Sequence, residues 1–259
     1  HTAYRRQRQM CIRDRVHPYG SFQPAEFPDL LVQLSERYGV TNFHLTDNAI
    51  PVNILKKMAE HRADLKGLSW FGFVRFEPAL EDPEFIQQLA KSGCKMLQLG
   101  LESGSQVVLD RLGKGIKLAA ASQILDNLYQ AGISSYVYIM LGTPGETEAD
   151  AEMTLSFLEQ HAEKIGFLNI SIMNLPRGSE LLENPELYGI DSSWLRDDDT
   201  PLSLYHEFKS ASGWDRTAAR KFLNQRLLGS SVIREIVKRN PPLFSSNHAF
   251  FFAGLTASD

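Results

Sequence analysis

Between residues 42 and 175 this chain alternates short apolar segments with amphipathic ones at helical spacing, a unit repeated at least four times. The apolar segments run over Asn42–Thr46, Ser69–Arg75, Lys95–Leu101, Tyr136–Gly142 and Phe167–Leu175. Strands separated by helices imply a parallel sheet, because parallel neighbours need a crossover and cannot be joined by a tight hairpin. Start and stop signals agree. Asp82 can cap a helix that has Pro83 at its first position, Gly93 stands where a C′ glycine belongs, Thr147–Asp150 can cap the next helix, and Gly132 closes the one before it. An open doubly wound sheet and a closed or partly closed barrel both fit this repeat, and periodicity does not separate them.

The pattern changes after about Tyr188. Asp197–Asp199 with Thr200 and Pro201 reads as a solvated loop, and Arg216–Asn240 as one or two amphipathic helices with Leu223, Leu227, Leu228, Ile233, Ile236 and Val237 on their apolar faces. Pro241 and Pro242 stop the last helix. The run Phe250–Phe252 reads as packing onto a core rather than as a membrane or partner contact. No linker isolates residues 191–259, which are therefore expected to form a mostly helical C-terminal extension docked on a sheet domain over residues 16–190.

With 43% hydrophobic and 22% charged residues among 259, the composition supports a sizeable core. No apolar run approaches the roughly 20 residues that span a bilayer, and no signal peptide is visible, so a cytoplasmic location without membrane contact is expected. Cys11 and Cys94 suit neither a disulfide framework nor a metal site. Residues 1–15 stand apart. Arg5–Asp14 reads RRQRQMCIRD, which matches a translated transposon-end sequencing adapter better than a basic nucleic-acid-binding arm. On this reading the native protein continues upstream of about Val16. Setting aside the five Arg and one Asp of that stretch leaves 22 basic against 30 acidic residues, a net charge of −8 and no footprint for nucleic acid.

In parallel β/α folds, ligands bind beyond the C-terminal ends of the strands. The residues placed there are Thr46-Asp47-Asn48, Arg75-Phe76-Glu77, Gly100 to Ser105 and Gly142 to Glu146, with Gly113-Lys114-Gly115 following a short helix. Such a rim suits a ligand with hydroxyl, carboxylate and amino groups, which describes S-adenosylmethionine (SAM) and a nucleotide equally well. Each feature also has a plain structural meaning. Glu102 and Lys114 can be an ion pair, Arg75 and Glu77 a rim pair, Pro144-Gly145 a turn, and Glu146 a favourable start to the next helix. His44 reads as a core or surface histidine and Cys94 as a small apolar residue. No P-loop is present to support a phosphate-binding barrel enzyme.

The stretch QLGLESGSQVVLDRLGKG, followed by AGI and YIMLGTPGET, resembles the second half of the radical SAM core, in particular the group that carries a cobalamin-binding domain ahead of it. The resemblance covers about Phe43–Pro185. It implies a partial (βα)6 TIM-like barrel, here lacking its first strand, in which a C-x-x-x-C-x-x-C loop binds a [4Fe–4S] cluster that SAM chelates and that cleaves SAM to a 5′-deoxyadenosyl radical. That loop is absent from this sequence, so its ligands are expected upstream, as is any cobalamin domain. By the same resemblance, Glu102 would accept from the SAM ribose with Ser103 and Ser105 nearby, and Lys114 would meet the carboxylate. Gly100 belongs to the same motif, Gly142 would let the backbone approach the adenosine, and Thr46 and Asp47 would lie near the amino group, with Arg75 serving SAM or substrate. Reactions of the group include methylation at unreactive carbon, ring rearrangement and oxidative ring closure. Partners implied are a small-molecule substrate and an electron donor such as flavodoxin or ferredoxin. A SAM- or nucleotide-binding module without redox chemistry remains the alternative. Without its first strand, such a barrel wall would expose an edge near Phe43 and fold poorly alone.

Overall fold

A computed structural model describes residues 23–195, 204–243 and 245–253. The adapter-like stretch 1–15, Cys11 and the loop Asp197–Pro201 lie outside the described residues. After helix α1 (Phe27–Tyr38) come strand β1 (Asn42–Leu45), helix α2 (Val52–Glu60), β2 (Ser69–Val74), α3 (Pro83–Lys91), β3 (Cys94–Glu102), α4 (Gln106–Arg111), α5 (Leu118–Gln130), β4 (Ser134–Leu141), α6 (Glu148–Gln160) and β5 (Phe167–Ile172). All four strand pairings are parallel, and the order in the sheet is β1-β2-β3-β4-β5.

That order decides between the two architectures left open by the repeat. A doubly wound sheet reverses its strand order at a switch point and carries helices on both faces. Here the order never reverses, so right-handed crossovers deliver every helix to the same face, as in the wall of a β/α barrel. Side-chain alternation agrees. Leu97, Leu99, Leu101, Val137, Ile139, Leu141 and Leu168 point to the helix layer and form the main core with Leu55, Ile86, Leu89, Leu125 and Leu158. Phe71, Met96, Tyr136 and Phe167 point the other way and form a second cluster on the inner face.

Local signals account for the element ends. Asp82 Oδ1 accepts from the Glu84 amide at 2.9 Å with Pro83 following, and Thr147 and Asp150 complete a reciprocal capping box for α6. Gly93 and Gly132 take left-handed φ values of 93° and 70° just beyond α3 and α5. At the far end of the core Trp70 is fully buried, its indole Nε1 donating to the Ser92 carbonyl at 3.0 Å.

Two expectations change, and the mostly helical tail gains detail. The fifth strand stops at Ile172, and Leu175 enters a short strand β6 (Leu175–Pro176) that pairs antiparallel with β7 (Tyr205–His206). Beyond 190 the tail is accordingly not all helix: Ile190 bridges Ser210, and Met173, Leu175, Leu181, Ile190 and Phe208 make a small core spanning that position. Helix α7 (Arg216–Phe222) runs through a π-helical turn (Leu223–Leu227) before α8 (Ser231–Lys238), and α9 (Ser245–Phe252) follows. Finally, the phenylalanine run divides. Phe250 is buried and stacks on Phe71 with centroids 4.7 Å apart, whereas Phe251 and Phe252 are exposed. A helix turns consecutive residues by about 100°, so three in a row cannot share one buried face.

Candidate functional site

Helix α9 seats on the lower half of the inner face, where Gln98 Nε2 donates to the Ser246 carbonyl at 2.9 Å and the Tyr136 hydroxyl meets Ser245 Oγ at 3.2 Å. Above this plug, toward the strand C-termini, lie Phe73, Gly100, Glu102 and Tyr138. Burial pushes the Tyr138 phenol up to about 12, so it stays protonated as a hydrogen-bonding group.

At the top of β3 the backbone leaves regular geometry. The pairing with β4 shifts between Gly100 and Glu102, and Glu102 has φ 70°, the only non-glycine at positive φ among the described residues. A carboxylic residue in this region costs of order 1 kcal/mol and is held by its surroundings. A Cβ at position 100 would lie 2.9 Å from Glu102 Oε1 and 3.3 Å from Phe73 Cζ, so the glycine leaves the space that the carboxylate fills over the inner face. Its partner comes from the end of α4. The amides of Gly113 and Lys114 return to the carbonyls of Asp110 and Leu109, each at 3.1 Å, a Schellman closure that aims Lys114 back over the sheet. Lys114 Nζ donates to Glu102 Oε1 at 2.9 Å, with side chains only 9% and 13% exposed. An ion pair so sheltered from water keeps its directionality and can exchange one partner for a ligand of matching charge.

The other expected residues divide into two sets. Ser103 and Ser105 are buried and committed to the protein: Ser103 Oγ meets Thr154 Oγ1 at 3.1 Å, and Ser105 Oγ donates to Asp150 Oδ1 at 2.6 Å while capping α4. Burial raises the Asp150 carboxyl, but the Ser105 and Thr147 hydroxyls outweigh it and hold the group below its ordinary value. Gly104 lies flat against α6, with its amide donating to Thr154 Oγ1 at 2.9 Å. These contacts lock the loop after β3 to the helix after β4. Thr46 and Asp47 are exposed beyond β1, so the β2 rim, which carries the half-buried Arg75 and Glu77, stands between them and Glu102. His44 stacks on Phe71 at 4.2 Å and Cys94 is buried, its thiol pushed up by burial, in keeping with structural roles.

The turn after β4 holds the group whose importance the sequence did not reveal. Gly142 has φ 76°, and a Cβ there would lie 3.2 Å from Ala219 Cβ of α7, so the glycine is demanded by conformation and by the tail packed against it. Glu146 is fully buried and folds back on the turn: Oε2 accepts from the Gly142 amide at 2.6 Å and the Thr143 amide at 3.0 Å. Its Oε1 is buried without a hydrogen-bond partner. Burial raises this carboxyl to about 7 against the pull of those donors. The clue was the four-residue spacing from Gly142, which brings a carboxylate within reach of the turn amides.

The rim therefore joins one sheltered ion pair to two glycine-built turns on adjacent strands. The sequence profile of the Radical SAM superfamily matches residues 9–158, more than half of the chain. The chain belongs to the radical SAM superfamily. Among its relatives, the tRNA-2-methylthio-N(6)-dimethylallyladenosine synthase of Sulfurovum sp. is 33% identical over 138 residues, covering 51% of this chain and 30% of that protein. The cytidylyl-2-hydroxyethylphosphonate methyltransferase of Streptomyces wedmorensis is 28% identical over 166 residues, covering 60% and 30%. Among solved structures, the radical SAM methyltransferase TsrM from Kitasatospora setae, with cobalamin and a [4Fe-4S] cluster bound, superposes with a TM-score of 0.55 at 20% identity, covering 76% of this chain and 41% of that one. It supports the barrel-type fold. This radical SAM chain spans under a third of the length of the curated relatives it matches.

The residues present fit the two cofactors of the superfamily differently. Glu102 and Lys114 offer an acceptor and a cation at the mouth of the inner face, as a ligand with ribose hydroxyls and a carboxylate requires. The three thiolates of a [4Fe–4S] cluster do not come from this sequence, which has two cysteines, and the described residues contain no cluster of ligating side chains. Among the described residues no helix is long and apolar enough to cross a membrane.

Proposed function

We propose that this chain is the SAM-holding wall of a radical SAM enzyme whose cluster ligands lie outside it, acting in methyl or methylthio transfer. Methyl and methylthio transferases among the relatives support that reaction class. The Glu102–Lys114 pair carries the reading: a left-handed Glu102, a glycine that clears space for it and a Schellman turn that aims Lys114 at it together build one polar group at the end of β3. When SAM binds, Glu102 accepts from the ribose hydroxyls and Lys114 neutralises the carboxylate. Arg75, Thr46 and Asp47 complete the polar rim, and the Gly142 turn, drawn tight by Glu146, walls the β4 side. Bound SAM, given one electron from a cluster held outside this chain, would supply the carbon-centred radical of the superfamily, and this chain's part would be to orient and shield it. The inner face above Phe250 receives the small-molecule substrate. Cobalamin dependence and an external electron donor, ferredoxin or flavodoxin, follow from the sequence resemblance.

The second reading, a SAM or nucleotide binder without redox chemistry, is favoured by one observation, the missing cysteine trio. Isothermal titration of the chain with SAM and with ATP tests the site, and iron and sulfide analysis of the protein expressed from its complete gene tests the chemistry. Binding of SAM over ATP, weakened about tenfold by Glu102→Gln and by Lys114→Met, is expected. Variants that melt at lower temperature yet bind SAM as tightly as the wild type would reduce the pair to a structural ion pair and sink the site. A complete protein without iron would leave the second reading.

A further inference from the structure

Residues Gly189–Asp191 and Lys209–Ser212 lie directly on the turn after β4. The two stretches are paired, with Ala211 N donating to Gly189 O at 2.8 Å and Asp191 N to Lys209 O at 2.9 Å. This pairing presents Ser210, buried, and Ser212 to the turn. The Gly145 amide donates to Ser210 Oγ at 3.0 Å, the Ser210 and Ser212 hydroxyls are 2.8 Å apart, and Ser212 Oγ donates to the Glu146 carbonyl at 2.6 Å. Each hydroxyl has one hydrogen, which fixes the direction of the chain. Ser212 spends its hydrogen on Glu146, so Ser210 donates to Ser212 and accepts from Gly145. The backbone follows equally closely: Gly189 has φ 76°, and a Cβ there would come within 2.9 Å of Gly145 Cα. Trp214, buried against Phe222, anchors the far side, and α7 then brings Ala219 onto Gly142.

We infer that Ser210 and Ser212 are positioning residues for SAM: through a directed hydroxyl chain they clamp the outside of the Gly142–Glu146 turn, whose inside Glu146 holds. This rests on the reading of the rim as the SAM site. Glu146 ties the turn from within, but two of its five residues are glycines at positive φ, and the Gly145 amide is bonded from outside, by Ser210. The tail supplies an outer hydrogen-bonded wall, so residues some 65 positions away in sequence help to set the cofactor-side backbone.

The test is titration of the full chain with S-adenosylhomocysteine, which keeps the adenosine and amino acid groups, together with melting curves. Ser210→Ala/Ser212→Ala is expected to weaken binding about tenfold, the loss of roughly two net hydrogen bonds' worth of ordering shared with the turn. Ser212→Thr, which keeps the hydroxyl, is expected to bind as the wild type does. Ser230→Ala removes the N-cap of α8 in the same tail, where Ser230 Oγ also donates to Glu159 at 2.6 Å. It is expected to lower the melting temperature and leave binding unchanged. If the double variant loses no more affinity than Ser230→Ala, the positioning role is overturned. If the double variant does not melt cooperatively, Ser212→Ala alone, at a residue exposed overall, decides by the same comparison. A wild type that binds no S-adenosyl compound would instead refute the site itself.

Discussion

Replacing Glu146 by glutamine asks whether a buried carboxyl in the turn after β4 is held against its own charge. Its Oε2 takes two amide hydrogens and its Oε1 takes none, and burial outweighs the donors, so that the group titrates near 7 rather than its ordinary 4.5. A folded-state value above the unfolded one means that the native protein binds the proton more tightly. The stability this confers is complete below about pH 4.5, declines as pH rises and is gone once pH has passed through 7. The full swing is about 3 kcal/mol. Glutamine keeps a carbonyl oxygen for the Gly142 and Thr143 amides without the charge. The difference in unfolding free energy, variant minus wild type, should therefore rise between pH 5 and pH 8 by roughly 2 kcal/mol, after discounting for relaxation and water entry. Urea denaturation of both proteins in steps of pH reads this difference directly, because other titrating groups cancel. A difference that stays flat from pH 5 to pH 8 would mean that burial does not raise Glu146. A difference that instead falls between about pH 3 and pH 5 would mean that the two amides stabilise the carboxylate more than burial destabilises it.

Gly104→Ala should cost about 1–3 kcal/mol or more, since the new Cβ would sit 2.6 Å from Thr154 Cα and backbone cannot yield cheaply. Gly39→Ala, at φ 65° with nothing within 4 Å, should cost only about 1 kcal/mol of backbone strain, so equal shifts in urea midpoint would refute the packing argument. Phe250→Ala should destabilise by about 3–5 kcal/mol and Phe251→Ala by less than about 0.5 kcal/mol; indistinguishable melts would mean that α9 does not seat on the inner face.

Much of this was written locally. Strand and helix positions between 42 and 172 follow from short apolar runs alternating with a 3.6-residue apolar period, and the ends follow from Asp82, Gly93, Gly132 and Thr147, whose effects act within one turn of chain. The rim residues were legible because a parallel β/α repeat fixes which ends of the strands carry ligands. What the residues do with one another was not. Ser103 and Ser105 look like ligand hydroxyls in sequence and are taken by Thr154 and Asp150, some 50 and 45 residues away. Glu146 looks like a helix-start carboxylate and is buried beneath a turn, and Ser210 and Ser212 carry no motif at all. Period and capping are short-range properties of the chain, so the sequence determines them by itself. Strand order, burial and the partner each polar group finds are set by segments that meet only when the sheet curves and the tail folds back over it, and these only the tertiary structure decides.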